Sequence, residues 1–380
     1  MTRDPVYLDH NAGAPLRREA LAAMRPWLEA GGAGNASSQH RRGQQARLAV
    51  EEARAEVAAL VGAEPSEVVF TSGGTEADNL AVLGAAGSVV STAIEHPAVE
   101  ACLAALERRG VSVARVAPEP DGVVSVSALR DAVRADTTLV TVMLASNETG
   151  ALQPVAELAQ ALRRRGGSRP LLHTDAVQAA GRVPVRRDEL DADLISLSAH
   201  KLGGPQGIGA LVVRRGAPLP PRLLGGPQEQ GRRGGTEPVA AIAGFGAAAR
   251  LARAEMGRWE SVCAPLRDCF EEGVRALRPD AVVHCAGAAR LPNTSSVGFA
   301  DQAAEALVAA LDLQGIEISA GAACASGARR PSRALLAMGL PEDVVRGTIR
   351  VSFGPGSTAA DGRLLIEALE RVMVRQGVPR

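Results

Sequence analysis

A lysine stands where an apolar run meets a glycine-rich turn, in the stretch DLISLSAHKLGGPQGIGALVV at 193–213. The apolar run before it is typical of a buried strand, and Ser198 and His200 come just before Lys201. A lysine on a rigid strand end can form a Schiff base with a carbonyl compound when its neutral amine is accessible. A strand-end lysine alone is more often a surface residue. The covalent interpretation therefore depends on its companions.

Other strand ends carry polar residues with a compatible chemistry. The sequence SGGT at 72–75 places Gly74 and Thr75 at a predicted helix N-terminus, where free N–H groups and the helix dipole favour a phosphate. Asp175 could keep a pyridine nitrogen protonated, which makes the ring an electron sink. His96 could lie flat over that ring, and Gln178 and Asn147 could reach its hydroxyl.

Each of these residues has a commoner structural explanation, such as a helix cap for Asp175 or a turn position for Ser198 and His200. Their order along the chain carries more weight, because ligands of open α/β sheets bind at the carboxyl ends of strands. Ser198 and His200 would add phosphate donors beside Lys201. The combination predicts pyridoxal phosphate as the cofactor.

The elements that would position these residues alternate along the chain. Near-continuous apolar strands interleaved with helices predict an α/β fold, with a mostly parallel central sheet flanked by helices. Apolar residues also recur at helical spacing over 44–61. Strands are predicted at 67–71, 88–94, 111–117, 137–145, 170–177, 194–197 and 208–213, and helices at 75–86, 97–110 and 154–167.

The pattern changes after about Gly257, where one long helix (259–277) leads into short strands and helices typical of a smaller α+β domain. We therefore expect a large cofactor-binding domain at 12–257 and a small domain formed by 1–11 plus 258–380. The Pro/Gly-rich stretch 216–238 predicts a long loop that is functional or lines an interface. Short strands are predicted at 281–286, 293–300 and 315–321, and helices at 302–311, 332–339 and 361–375.

Charge and hydropathy exclude several classes of partner. Lysine plus arginine and aspartate plus glutamate both total 42, so nothing favours nucleic acid or an acidic membrane. No apolar run approaches the ~20 residues of a membrane helix. The N-terminal stretch lacks the apolar segment of a signal peptide. We expect a cytoplasmic protein.

Five cysteines without metal-ligand spacing predict neither a disulfide framework nor a zinc site, and no metal is expected. Cys102, Cys263, Cys269 and Cys285 are each predicted to be buried apolar thiols. Cys324 differs, because ISAGAACASGARRPS surrounds it with small residues and two arginines that favour a thiolate. The residues alone fit a small-residue packing site equally well.

Ten motifs resemble the cysteine desulfurases, which belong to the fold-type I, class V aminotransferase group of pyridoxal phosphate enzymes. The resemblance runs from Tyr7 to about Leu369. The motifs are YLDHNAGAP, GNASSQHRRGQQA, VVFTSGGTEADNLA, EHPAV, SNETGALQPV, HTDAVQAAG, SLSAHKLGGPQGIGALVVR, GRRGGTEPV, SAGAACASG and TIRVSFG.

The resemblance implies roles for the cofactor residues. Lys201 would hold the cofactor covalently and move protons, and His96 would stack on the ring and shuttle a proton. Thr236, supplied by the partner of a homodimer, would complete the phosphate site. The remaining contacts would be Asp175 to the ring nitrogen, Gln178 and Asn147 to the ring hydroxyl, and Gly74, Thr75, Ser198 and His200 to the phosphate.

The resemblance also implies a substrate and a product. Asn147, Arg350 and Asn11 would bind the carboxylate of L-cysteine, a task that suits the arginine fork. Cys324 would take the sulfur as a persulfide, leave L-alanine and pass the sulfur to an acceptor. That acceptor would serve iron–sulfur cluster assembly, another sulfur-containing cofactor or tRNA thiolation.

Three departures from the family pattern keep alternatives open. Gly13-Ala14 stands where the family usually has a hydroxyl-bearing residue near the expected substrate entrance. Gln230 stands where an arginine is common. The sequence also ends soon after its last predicted helix, and this short end weakens the expectation of a dedicated iron–sulfur scaffold as partner. One alternative is a selenocysteine or cysteine-sulfinate lyase, or another class V aminotransferase. A second is a low-turnover sulfur-carrier or regulatory protein.

Overall fold

A computed structural model describes residues 5–29, 34–165, 169–321 and 331–375 of the chain. Its largest feature is a seven-stranded sheet with the order β2-β8-β7-β6-β5-β3-β4. The strands are β1 (Val6–Tyr7), β2 (Val68–Thr71), β3 (Ser88–Thr92), β4 (Val113–Val116), β5 (Thr137–Thr141), β6 (Leu171–Asp175), β7 (Leu194–Ser198), β8 (Gly209–Val213), β9 (Val282–Val283), β10 (Thr294–Gly298), β11 (Ile316–Glu317), β12 (Ser319–Ala320) and β13 (Ile349–Ser352).

The large sheet is parallel except for β8, which pairs antiparallel with both β2 and β7. Strands β2, β3, β7 and β8 are buried along their whole length, as expected for a sheet covered on both faces. The carboxyl ends of β2, β3, β5, β6 and β7 consequently meet at one edge of the sheet.

Helices cover both faces of this sheet. Other helices pack against a second sheet, which has four strands. The longest, Arg41–Val61, begins at His40, whose Nδ1 accepts from the N–H of Gly43 at 3.2 Å, and ends at Gly62 in the left-handed conformation. The α-helices are α1 (Arg18–Glu29), α2 (Arg41–Val61), α3 (Gly74–Val82), α4 (Pro97–Arg108), α5 (Val126–Ala132), α6 (Val155–Arg164), α7 (Arg187–Leu190), α8 (Val239–Ala254), α9 (Met256–Arg258), α10 (Ala264–Leu277), α11 (Ala304–Asp312), α12 (Arg333–Ala337), α13 (Glu342–Arg346) and α14 (Ala359–Arg375).

A four-stranded antiparallel sheet, ordered β12-β13-β10-β9, carries a second apolar core beneath α10, α11 and α14. The N-terminal segment joins this part, since β1 pairs in parallel with β11. Asp9 forms a bridge with Ser352, and Leu8 is fully buried in the second core. Asp9 to Asn11 are thereby fixed against β13 and led to the carboxyl edge of the large sheet.

The predicted α/β class and mostly parallel sheet are confirmed, but several details were wrong. Cys102, Cys263 and Cys285 are buried, whereas Cys269 is exposed because it lies on the outer face of α10. The run 315–321 forms two short strands in different sheets, and 259–277 starts with a π-helical turn. Helices α1, α5 and α8 were not predicted. In the case of α8, the helix is apolar on most of its faces and lacks amphipathic spacing. The domain boundaries stay a prediction.

Across the described ranges, no helix combines the length and the apolar character that a membrane span requires.

Candidate active site

A cavity of about 480 Å³ lies at the carboxyl edge of the large sheet. It is bounded by the ends of β2, β5, β6 and β7, the N-terminus of α3, and Arg350 from β13. The structure brings together eleven of the residues that the sequence analysis selected: Asn11, Gly74, Thr75, His96, Asn147, Asp175, Gln178, Ser198, His200, Lys201 and Arg350.

Lys201 is half-buried at this edge, in a single 3₁₀ turn (Ala199–Lys201) that follows β7 directly. Its Nζ donates to the carbonyl oxygens of Asn11 at 2.6 Å and Ala12 at 2.9 Å. It is also the only lysine in the 380 residues. An arginine cannot supply a neutral amine under ordinary conditions, so this position has a chemistry that no other side chain of the chain offers.

Asp175 ends β6 and faces two further titratable groups. One ligand atom each from Asp78, His96 and Asp175 lies within 4.8 Å of the others. Burial raises the pKa of Asp175, although His96 and Lys201 act to lower it. Burial and the charge of Asp175 raise the pKa of Asp78 well above its usual value. A cation between these carboxyls, such as a protonated ring nitrogen or a metal ion, would relieve their repulsion.

A buried hydrogen-bonded chain lies behind the carboxyl pair. His173 shares a face of β6 with Asp175, and its Nδ1 is 2.8 Å from Thr141 Oγ1 while its Nε2 is 3.0 Å from Ser196 Oγ. Asp78 Oδ1 is 3.7 Å from the same Nε2 and has no hydrogen-bond partner among the described residues. Burial lowers the pKa of His173 to about 3, so this imidazole is neutral at pH 7 and forms its hydrogen bonds without adding a charge.

Glu95 and His96 lie between the end of β3 and the start of α4. His96 begins α4, where its Nδ1 accepts from the N–H of Ala98 at 3.1 Å. Burial and Lys201 lower the pKa of His96 while Asp175 raises it, and the net shift is downward. The His96 imidazole is therefore a neutral base at pH 7. Burial raises the pKa of Glu95 to about 8, even though its Oε1 accepts from Thr92 and from the N–H of Met143.

The N-terminus of α3 suits an anion. Its first turn offers N–H groups that have no acceptor within the helix. A Cβ on Gly74 would lie 2.8 Å from Val177 Cγ2, so glycine is required for this close approach. Ser198 Oγ lies 2.8 Å from His200 Nδ1 on the neighbouring strand end. Burial, followed by Lys201 and Arg182, lowers the pKa of His200 to about 4, which leaves a neutral donor and acceptor pair beside the cavity.

Arg350 reaches the cavity from β13 and is 3% exposed. Its NH2 donates to Asp9 Oδ1 at 2.7 Å and its NH1 to the carbonyl of Asn147 at 2.9 Å. Its Nε is buried and has no partner in the part of the chain that is described. The guanidinium is thus held rigidly by Asp9 and the Asn147 carbonyl, and these two bonds use two of its five N–H groups.

One predicted residue is not part of this cavity. Thr236 is exposed and does not line it. Its segment is nevertheless fixed near α3, since Arg233 Nε donates to Glu76 at 2.9 Å and the buried Glu229 pairs with Arg54 at 2.8 Å. Cys324 lies outside the described residues. Gly13 leaves open space, because a Cβ there would come no closer than 4.0 Å to His200.

Three residues around the cavity were missed from the sequence: Asp9, Asp78 and Arg182. Asp78 lies one helical turn after Gly74, and the spacing alone could have placed both on the cavity side of α3. The single lysine was also available as a signal and was not used. Nothing in the sequence indicated that Arg182 is buried.

Comparison with known proteins identifies the family. The model of the class-V aminotransferases matches residues 6–365. The chain belongs to the class-V aminotransferase family. Two relatives cover 97% of it: a protein named cysteine desulfurase from Cereibacter sphaeroides (44% identical, 95% of its length) and one named cysteine desulfurase IscS from Dictyoglomus turgidum (39% identical, 94% of its length).

Solved structures give the same fold. A NifS-like protein superposes with a TM-score of 0.91 at 32% identity, over 98% of this chain and all of the other. A structure of DndA from Streptomyces lividans superposes with a TM-score of 0.77 at 36% identity, over 94% of this chain and all of the other. The resemblance to the cysteine desulfurases and the fold-type I architecture are both confirmed.

Proposed function

We propose that this protein is a pyridoxal phosphate-dependent cysteine desulfurase that converts L-cysteine to L-alanine and passes the sulfur onward as a persulfide. The observation that carries the proposal is the pairing of the chain's only lysine with a buried aspartate across one cavity, beside a helix N-terminus that suits a phosphate. The names of relatives that match nearly the full chain support the same activity.

The residues fit pyridoxal phosphate by their chemistry. Lys201 would hold it covalently, Asp175 would face the ring nitrogen, and the first turn of α3 with Ser198 and His200 would bind the phosphate. When bound, this cofactor draws electrons away from the α-carbon of an amino acid. Its positive ring nitrogen would also relieve the repulsion between the buried carboxyls of Asp78 and Asp175.

Proton movement falls to Lys201 and His96. With the cofactor bound, Lys201 Nζ would take the α-proton of the substrate and return it at another position. His96, which is neutral at pH 7, can accept or return a second proton beside Asp175. The carbonyls of Asn11 and Ala12, which accept from Nζ, keep this amine beside the cavity.

Arg350 binds the substrate carboxylate in this proposal. Asn147 lies beside Arg350 through its backbone carbonyl, and Asn11 contacts the same carbonyl through Nδ2 at 3.4 Å. Asn11 is 1% exposed, so its side chain supports this wall of the cavity more than it contacts substrate directly.

Sulfur transfer is assigned to Cys324 on its motif and on the names of the relatives. The Cys324 thiolate attacks the sulfur of the bound substrate. A sulfur–sulfur bond forms, the carbon–sulfur bond breaks, and its electron pair stays with the substrate carbon, which becomes the methyl group of alanine after protonation. The persulfide on Cys324 is then available to an acceptor protein.

Alanine formation tests the proposal. The purified protein loaded with pyridoxal phosphate should produce alanine from L-cysteine, and sulfide when a reductant is present. A Cys324→Ser variant should keep the cofactor spectrum and lose alanine formation. Full activity of that variant on cysteine would contradict the persulfide assignment, and activity confined to selenocysteine would favour a lyase.

We infer that the protein is a homodimer in which Thr236 completes the partner's phosphate site. Thr236 is exposed on a segment that is anchored to Glu76 at the start of α3, which supports a position at an interface. Mixed dimers of Lys201→Ala and Thr236→Ala subunits test this arrangement. They should recover activity if the threonine acts across the interface, and none if it acts within its own subunit. The acceptor's identity and a cytoplasmic location stay predictions.

A further inference from the structure

Arg182 is a buried arginine that contacts three oxygens of the cavity wall. Its residue exposure is 2%, and the turn after β6 carries it beneath the cavity floor. NH1 donates to Gln178 Oε1 at 2.5 Å and to Asn11 Oδ1 at 2.7 Å, and NH2 donates to the carbonyl of His10 at 3.0 Å. Its guanidinium carbon lies 5.3 Å from the ring centre of Trp259.

These contacts fix the orientation of the Gln178 amide without ambiguity. A guanidinium can only donate hydrogen bonds, so the atom facing Arg182 must be the amide oxygen. The other end of the amide donates from Nε2 to the carbonyl of Asn11 at 3.0 Å, and a carbonyl can only accept. A reversed amide would place donor against donor and acceptor against acceptor.

This orientation decides what Gln178 can offer to a ligand. Its oxygen is already bonded to Arg182, so the group left for the cavity is the second N–H of Nε2. A lone donor favours an anionic oxygen over a neutral hydroxyl, because the hydroxyl would need an acceptor for its own proton. The same Asn11 carbonyl accepts from Lys201 Nζ, so Arg182 also holds the segment that positions the lysine.

We propose that Arg182 is a positioning residue that commits Gln178 to act as a hydrogen-bond donor, and thereby stabilises the deprotonated ring oxygen of the bound cofactor. The inference rests on the proposed function, since it assumes that pyridoxal phosphate occupies the cavity. It is independent of sulfur transfer and of Cys324.

Charge provides a competing explanation that the test must separate from geometry. Burial and the charge of Arg350 lower the pKa of Arg182 to about 9, which leaves it charged at neutral pH, so its removal changes the field as well as the contacts. The titratable or charged groups that line the cavity, among the described residues, are Glu76, Asp78, His96, Asp175, His200, Lys201 and Arg350.

The experiment is a pH titration of the visible absorption of the cofactor-loaded protein. In Arg182→Met the amide oxygen loses its partner and only the bond from Nε2 to the Asn11 carbonyl remains, so the amide is less firmly held and the ring oxygen loses its fixed donor. The apparent pKa of the absorbing group should rise by roughly one unit, about tenfold in proton affinity. Arg182→Lys keeps the charge but cannot bond three oxygens from one fork, so it should show most of the rise. A wild-type titration in Arg182→Lys would overturn the positioning role.

A double-mutant cycle with Gln178→Ala separates an effect that Arg182 exerts through Gln178 from a general disturbance of the fold. If Arg182 acts through Gln178, the double variant should titrate like Gln178→Ala alone, whereas additive shifts would show an independent effect and contradict the proposal. Arg258→Met is the matched control, because Arg258 is exposed, contacts Glu255 and the carbonyl of Pro355, and has no contact to Gln178 among the described residues; its titration should be unchanged.

Folding and function are monitored separately. Apparent cofactor affinity and the circular dichroism spectrum report whether Arg182→Met folds. If Arg182→Met does not fold, Gln178→Ala alone tests the proposal, because loss of the Gln178 donor must raise the apparent pKa of the absorbing group by a similar amount. Alanine formation by the wild type tests the proposed function alone. A wild type that takes up no pyridoxal phosphate would overturn both proposals, whereas a loaded wild type with unshifted variants would overturn only this one.

Discussion

Replacing Arg350 by methionine should remove the recognition of the substrate carboxylate. The structure leaves its buried Nε without a partner while Asp9 and the Asn147 carbonyl hold the other two nitrogens. One hydrogen bond to a charged group contributes about 1.5–3 kcal/mol. The kcat/KM for L-cysteine should therefore fall by roughly 10- to 150-fold. Arg350→Lys should lose less, because it keeps the charge but not the fork.

The assay compares L-cysteine with its methyl ester, which has no negative carboxylate, and follows the amino-acid product of each. The wild type should prefer cysteine by about the factor that Arg350→Met loses, and the variant should treat the two substrates alike. Arg290→Met is a matched control, since Arg290 forms a buried ion pair with Glu271 at 2.8 Å and does not line the cavity. It should lose stability but keep the preference. A preference that survives in Arg350→Met would refute the assigned role.

Three further predictions follow from the same geometry. Asp175→Asn should weaken cofactor binding by roughly tenfold or more, because a buried partner of the ring nitrogen loses its charge; equilibrium dialysis against pyridoxal phosphate measures this, and unchanged affinity would contradict the pairing. Glu95 binds its proton more tightly when folded, with a pKa of about 8, so its contribution to the stability of the cofactor-free protein is present below its unfolded pKa and is lost as the pH rises to about 8. Urea unfolding should show stability falling by roughly 1.4 kcal/mol per pH unit from this group across that window, and Glu95→Gln should remove the slope. Gly74→Ala should reduce cofactor affinity, because the new Cβ lies 2.8 Å from Val177 Cγ2, and Gly257→Ala, with nothing within 4 Å of its Cβ, is the control that should bind normally.

Much of the site could be predicted because its residues sit at strand ends. The apolar strands of the large sheet are easy to recognise, and a parallel arrangement brings their carboxyl ends to one edge. Asp175 ends β6, and Lys201 and His96 come three and four residues after the ends of β7 and β3, so their convergence followed from local sequence alone.

The residues that were missed act through long-range contacts. Arg182 reaches Asn11 across 171 positions, and Asp9 accepts a hydrogen bond from Arg350 across 341. Such pairs depend on how the N-terminal segment crosses between the two sheets, which no periodicity reports. Helix α8 was missed for a related reason: buried on most sides between α1, α2 and the sheet, it has no polar face to reveal a helical repeat.

The lack of other lysines offers the most direct measurement of the central claim. Pyridoxal phosphate is added to the purified protein, the imine is reduced with borohydride, and the labelled peptide is identified by mass spectrometry. The account predicts a single phosphopyridoxyl group on Lys201, at close to one per chain. A protein that carries no label at Lys201, or carries it on the N-terminal amine alone, would contradict the account.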